Sequence, residues 1–198
     1  MIEEILSSFL KSFITLFVIM DPFGGLPAFI SVTKGMSNKE RIKNADRAII
    51  VASLLLFAFL FFGVNIFSLF NISISSFMIA GGIILMVIGV LYTLGISLHD
   101  KDVKREGDVA SVPIGTPLLT GPGVITSTII LVNTYGILIP FFAAAATLLV
   151  SWYIYRSSDR IYKFIGHPGA NILSRVMGII LTAIAVEFIK GGISVYLV

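Results

Sequence analysis

Apolar residues in this chain are gathered into six long runs, at residues 5–33, 46–70, 73–97, 113–133, 137–155 and 171–198, separated by short polar stretches. The hydrocarbon core of a bilayer is about 30 Å thick and takes about 20 apolar helical residues to cross. The pattern therefore predicts an all-α membrane protein with six transmembrane helices. The first run opens on Glu3 and Glu4 instead of a basic segment and contains no A-x-A cleavage site, so it is expected to remain as a span.

Composition agrees: 57% of the 198 residues are apolar and 13% charged, against about 45–50% and 25% in soluble domains. A water-soluble enzyme is thereby excluded. Cysteine is absent, and the two histidines, His99 and His167, stand far apart in polar stretches, so no metal site or cofactor is expected. The formal charge of +3 lies in separated clusters without interleaved aromatics, which argues against nucleic-acid binding.

Those clusters report topology. Lys34, Lys39, Arg41, Lys43 and Arg47 follow run one, Lys101, Lys104 and Arg105 follow run three, and Arg156, Arg160, Lys163 and Arg175 follow run five. The alternate connections, 71–73 and 134–136, carry no Lys or Arg. By the positive-inside rule the basic side is cytoplasmic, and both termini then lie outside a multi-pass cell-membrane protein.

The chain also repeats itself. Gly82-Ile83-Ile84-Leu85 in run three overlies Gly178-Ile179-Ile180-Leu181 in run six, and Pro22 and Ile30 in run one overlie Pro122 and Ile130 in run four. The halves are residues 1–98 and 112–198, joined by a cytoplasmic linker at 99–111 within a single transmembrane domain. A three-span unit repeated once must enter the membrane from the opposite face. The result is two inverted three-helix repeats, a pattern of secondary transporters.

Proline and glycine concentrate at equivalent places in the two halves. One cluster is Asp21-Pro22-Phe23-Gly24-Gly25-Leu26-Pro27; the other runs from Pro113 through Pro117 to Thr120-Gly121-Pro122-Gly123. Proline removes an N–H and clashes with the preceding turn, while glycine frees the backbone, so spans 1 and 4 are predicted to be broken into half-helices. Irregular backbone at this depth persists only where protein buries it or a polar cavity meets it. Paired breaks present partly positive half-helix N-termini and partly negative carbonyls, which suits a small zwitterion. Asp21, Pro22, Gly24, Gly25, Thr120, Gly121 and Gly123 are the candidate substrate-binding residues.

These segments, with Ile79-Ala80-Gly81-Gly82 and Ser174-Arg175-Val176-Met177-Gly178, resemble over the whole chain the MarC family of six-span membrane proteins, which includes the small neutral amino acid transporters called SnatA. The resemblance implies movement of glycine, alanine or serine. Where the family's first motif usually begins Asn-Pro, this chain has Asp21-Pro22, so an amide is replaced by a group that can hold a charge or a proton.

An ionisable group at the centre of a span costs about 2.5–3.5 kcal/mol even on insertion scales, which singles out Asp21, Glu187 and Lys190. Glu187 and Lys190, three apart, share a helix face and are expected to neutralise each other. Asp21 is expected to cap the half-helix beginning near Phe23. Desolvation and the half-helix N-termini act on its proton in opposite senses. Asp21, and secondly Glu187, are candidates for coupling transport to a proton gradient, with sodium as the other ion. Small residues every seventh position, Gly82 and Gly89 in run three and Gly178, Ala185 and Gly192 in run six, predict close helix packing. The rival functions are an ion or small-solute channel, an exporter of another small metabolite, and an intramembrane enzyme. The last lacks a GxSxG or HExxH motif. The sequence leaves the oligomeric state open.

Overall fold

The computed structural model describes residues 2–26, 29–30, 33, 35–96 and 119–195. The linker at 99–111 and the prolines at 113 and 117 lie outside the described residues. Six long helices carry the fold: α1 (Ile2–Met20), α2 (Asn38–Leu69), α3 (Ile74–Thr93), α4 (Pro122–Tyr135), α5 (Leu138–Arg156) and α6 (Ser158–Ser194). No strand occurs among the described residues.

Local chemistry sets the helix ends. Ser37 and Glu40 form a capping box, in which the Ser37 hydroxyl accepts from the Glu40 N–H at 3.3 Å and the Glu40 carboxylate accepts from the Ser37 N–H at 2.8 Å. The first basic connection is therefore shorter than the apolar run suggested, because α2 extends outward through polar residues to Asn38. At its far end α2 stops where Asn71 turns left-handed (φ 57°) and Ile72 N–H reaches back to the Phe67 carbonyl at 2.9 Å. Asparagine tolerates that conformation, and the bond satisfies a helix-end carbonyl. Ser73 then caps α3 by accepting from the Ser76 N–H at 3.0 Å. Gly136 (φ 74°) makes the equally short turn between α4 and α5. These are the two uncharged connections.

The connection after α5 differs from the sequence reading. Residues 158–165 are helical and join α6 across a kink at Gly166 (φ 68°), followed by Pro168. Ile161 packs against the core from this segment, which gives it a reason to stay helical outside the apolar run.

Helices α3 and α6 make the most extensive contact and run antiparallel. A Cβ on Gly82 would stand 2.9 Å from the Ala185 carbonyl, one on Gly89 2.8 Å from the Gly178 carbonyl, and one on Gly192 2.7 Å from the Ser75 carbonyl. The predicted small-residue stripe is this seam. Glycine is required there because the backbones touch. Helix α4 is inserted between its neighbours, with Ile129 on Gly63 of α2 and Thr126 on Gly81 of α3.

The surface of the molecule differs from that of a soluble domain in carrying many large apolar side chains. Leu54, Leu149 and Ile179 are exposed, whereas Ser12, Asp21, Thr120, Thr126, Ser127, Thr128, Thr147 and Ser151 are buried. An apolar outside around a core that is itself largely apolar and holds these polar groups is stable only with lipid as solvent. Among the described residues, four helical segments are long and apolar enough to cross a membrane: Asn38–Leu69, Ile74–Thr93, Leu138–Arg156 and Asn171–Ser194. Helix α1 has 19 residues but carries Glu3, Glu4 and Lys11, and α4 has 14.

The first and third basic connections meet at one end. Arg41 forms an ion pair with Asp159 and donates to the Thr33 hydroxyl at 3.2 Å. Asp46 accepts from the Trp152 indole at 2.7 Å and lies 3.4 Å from the Arg156 guanidinium, which covers the Trp152 ring. Arg175 lies against Gly95, where α3 ends. Arg41 and Arg156, assigned to one side by charge, are thus on one side of the fold; Lys34 and the basic residues at 101, 104 and 105 lie outside the described residues.

Candidate functional site

Helix α1 ends at Met20 because Asp21 adopts a left-handed conformation (φ 40°), which few residue types other than glycine, Asn and Asp take readily. The chain re-enters a helical course at once. Gly25 N–H bonds the Asp21 carbonyl at 3.1 Å, Phe29 N–H the Gly25 carbonyl at 3.0 Å and Thr33 N–H the Phe29 carbonyl at 3.0 Å. Asp21 caps this second segment as expected, its Oδ1 accepting from the Gly24 N–H at 3.0 Å.

Only one carboxylate oxygen is used in that way. Asp21 is buried, and its Oδ2 has no hydrogen-bond partner among the described residues. An unsatisfied buried acceptor costs about 1–3 kcal/mol, more if charged. Gly24 makes room for this oxygen, since a Cβ there would stand 1.9 Å from it. Pro22 and Gly25 are buried beside it.

The second break lies on the same part of the fold. Gly121 is the N-cap of α4, with no side chain to cap the orphan N–H groups and Pro122 immediately after it. Gly123 is pressed between Leu85 of α3 and Ile19 of α1, two residues before Asp21; its Cβ would be 2.4 Å from the first and 3.3 Å from the second. Thr120 is buried and donates to the Ala52 carbonyl of α2 at 3.1 Å, a tether across the bundle. Ala52 lies about 9 Å along α2 from Asp46, so the second break sits roughly two helical turns inside the basic end. Glu187 is elsewhere. It is exposed on α6 and pairs with Lys190 at 3.3 Å, the mutual neutralisation expected of the two.

Helix α5 supplies groups that the sequence reading passed over. Thr147, Ser151 and Tyr155 recur at four-residue spacing and are all buried. That period places them on one helix face, and a stripe of hydroxyls on an otherwise apolar span is the signal that could have found them. Thr147 and Ser151 return their protons to carbonyls one turn back, both at 2.8 Å, the usual way in which Ser and Thr are accommodated in apolar helices. Tyr155 has no such option, because its rigid ring carries the hydroxyl away from the backbone. That hydroxyl has no partner among the described residues. Ser151 Oγ lies 3.3 Å from the Met20 sulfur, and the Tyr155 ring meets Phe29 edge-on at 5.0 Å between centroids. The stripe thus flanks the first break on both sides.

An apolar hollow of about 290 Å³ on the outer face of α2, between Ser53 and Phe62, includes no residue of either break. Leu54, Phe61 and Phe62 are exposed around it, as lipid-facing side chains would be.

A sequence profile described as MarC family integral membrane protein matches residues 6–197. The chain belongs to the MarC family. Its MarC relatives include a UPF0056 membrane protein of Archaeoglobus fulgidus, 38% identical over 98% of this chain and 95% of the relative. Another from Methanocaldococcus jannaschii is 37% identical over 95% of this chain and 97% of its own. The UPF0056 membrane protein YhcE of Escherichia coli is 36% identical over 93% and 91%. No solved structure matches the chain. This MarC protein is a multi-pass integral membrane protein whose interior carries the polar break described above.

Proposed function

We propose that the chain is a secondary transporter that moves small neutral amino acids, glycine, alanine and serine, across the cell membrane by alternating access. The observation that carries this reading is the buried break at Asp21, where one carboxylate oxygen is left open over Gly24 while the uncapped start of α4 packs against the same end of α1. An anionic acceptor and the partly positive start of α4 complement the two charges of a zwitterion. Gly24 and Gly123 have no room for a Cβ, a crowding that favours a small solute.

Supporting the inverted repeat is the reciprocity of the α3–α6 seam. Gly82 faces the Ala185 carbonyl, and their counterparts in the sequence overlay, Gly178 and Gly89, face each other in the same way. A pseudo-twofold axis produces such paired contacts. The halves 1–98 and 112–198 are then two three-span units able to rock about the seam, with spans 1 and 4 broken at the substrate. Transport is coupled to a proton or sodium gradient, for which Asp21 is the buried candidate.

Purified protein in liposomes is expected to show saturable glycine uptake with counterflow, responding to imposed proton or sodium gradients applied separately. Solute flux without saturation or counterflow would make it a channel. The basic end is assigned to the cytoplasm, with both termini outside. A single cysteine at Asn38 is expected to resist an impermeant thiol reagent applied to intact cells and to react once the membrane is opened; labelling from outside would reverse the orientation.

A further inference from the structure

The free oxygen of Asp21 and the hydroxyl of Tyr155 are two buried polar groups without partners among the described residues, on elements that pack against each other at the first break. Their placement is fixed from both sides. Phe29, one turn beyond Gly25 on the segment that Asp21 caps, holds the Tyr155 ring at its edge, and Ser151, one turn before Tyr155, touches the residue preceding Asp21. The other hydroxyls on that face of α5 are satisfied by their own backbone, so the phenol is the group on this face left to meet something from outside the chain. Buried polar atoms in native proteins are nearly always paired. A carboxylate oxygen accepts only, and a phenol oxygen both accepts and donates. The group that complements both at once is a donor with several N–H bonds and a positive charge.

We propose that Asp21 and Tyr155 together seat the primary ammonium group of the transported solute, with Tyr155 a specificity-determining residue. This rests on the transport reading above and adds to it an orientation: the amine points toward α5 and the solute carboxylate toward the start of α4. A primary ammonium has three N–H donors, enough for the Asp21 oxygen and the Tyr155 oxygen with one to spare. Each N-methyl group removes a donor and adds bulk at the nitrogen. The site therefore selects against N-methylated amino acids, whatever the size of their side chain.

The test is competition against radiolabelled glycine in liposomes containing the full chain, with N-methylglycine and trimethylglycine as competitors, for wild type and Tyr155→Phe. That variant keeps the ring and its contact with Phe29, and a monodisperse elution in detergent verifies its fold. In wild type, N-methylglycine is expected to compete at least tenfold more weakly than glycine, and trimethylglycine not at all. In Tyr155→Phe, the half-saturating glycine concentration is expected to rise about tenfold, as for loss of one hydrogen bond to a charged group, and the preference for glycine over its N-methyl form to shrink. Wild-type glycine affinity and selectivity in Tyr155→Phe would overturn the ammonium seat and leave the transporter standing. Wild-type protein that takes up none of glycine, alanine or serine would overturn the transport reading and this assignment with it.

Discussion

Gly24→Ala is expected to lower glycine transport in liposomes at least tenfold while the protein still reaches the membrane folded. The added Cβ would stand 1.9 Å from Asp21 Oδ2 and 2.7 Å from its Cγ, so the carboxylate must swing out of its place. That displacement breaks the cap bond from the Gly24 N–H, a loss of about 1 kcal/mol. It also moves the open oxygen off the site. The effect is aimed at function because the atoms struck are the end of a side chain and no backbone need shift. Gly123→Val is expected to act from the other break, its Cβ 2.4 Å from Leu85 and 3.3 Å from Ile19. Crowding there pushes α4 away from α3 and α1 and costs about 1–3 kcal/mol in addition. Uptake assays paired with gel filtration in detergent check both, and uptake by Gly24→Ala at the wild-type rate would remove the site from the first break.

Asp21→Asn is expected to separate capping from coupling. Asparagine tolerates the left-handed backbone at this position and its amide oxygen can accept from the Gly24 N–H. The fold should therefore survive with a melting temperature near that of wild type. An amide neither ionises nor carries a proton, and with its oxygen used by the cap it turns an NH₂ toward the space that Oδ2 faced. Glycine-driven proton movement is expected to fall to background, and half-saturation by glycine to rise at least tenfold. Glu187→Gln is the matched control. Glu187 is exposed beside Lys190, so its loss is expected to leave coupling intact, since exposed pairs contribute about 0–1 kcal/mol. Full coupling in Asp21→Asn with an unchanged pH profile would make Asp21 a helix cap only and place the ion elsewhere.

The apolar runs, the Pro/Gly break at Asp21, the two uncharged turns and the α3–α6 stripe are legible along the chain because each is decided by the solvent or by neighbours within a few residues. A bilayer requires about 20 apolar residues wherever a helix crosses. Proline ends a helix by a clash within one turn, and a glycine stripe at seven-residue spacing lies on one face of any helix that contains it. Even the capping of the second segment by Asp21 follows from a bond three residues long.

Partners distant in the chain are another matter. The joining of Arg41 to Asp159, the position of Asp46 between Trp152 and Arg156, and the tether from Thr120 to Ala52 link residues far apart in sequence. No local rule selects such pairs; they form only when the helices have taken their relative positions. The same holds for vacancy. That Asp21 spends one oxygen on its own backbone and keeps the other open, and that Tyr155 alone on its face of α5 finds no acceptor among the described residues, depends on every side chain packed around them. A sequence lists the groups able to bond. Whether a buried group is left unbonded is settled by what else comes within about 3 Å of it, and only the tertiary structure decides that.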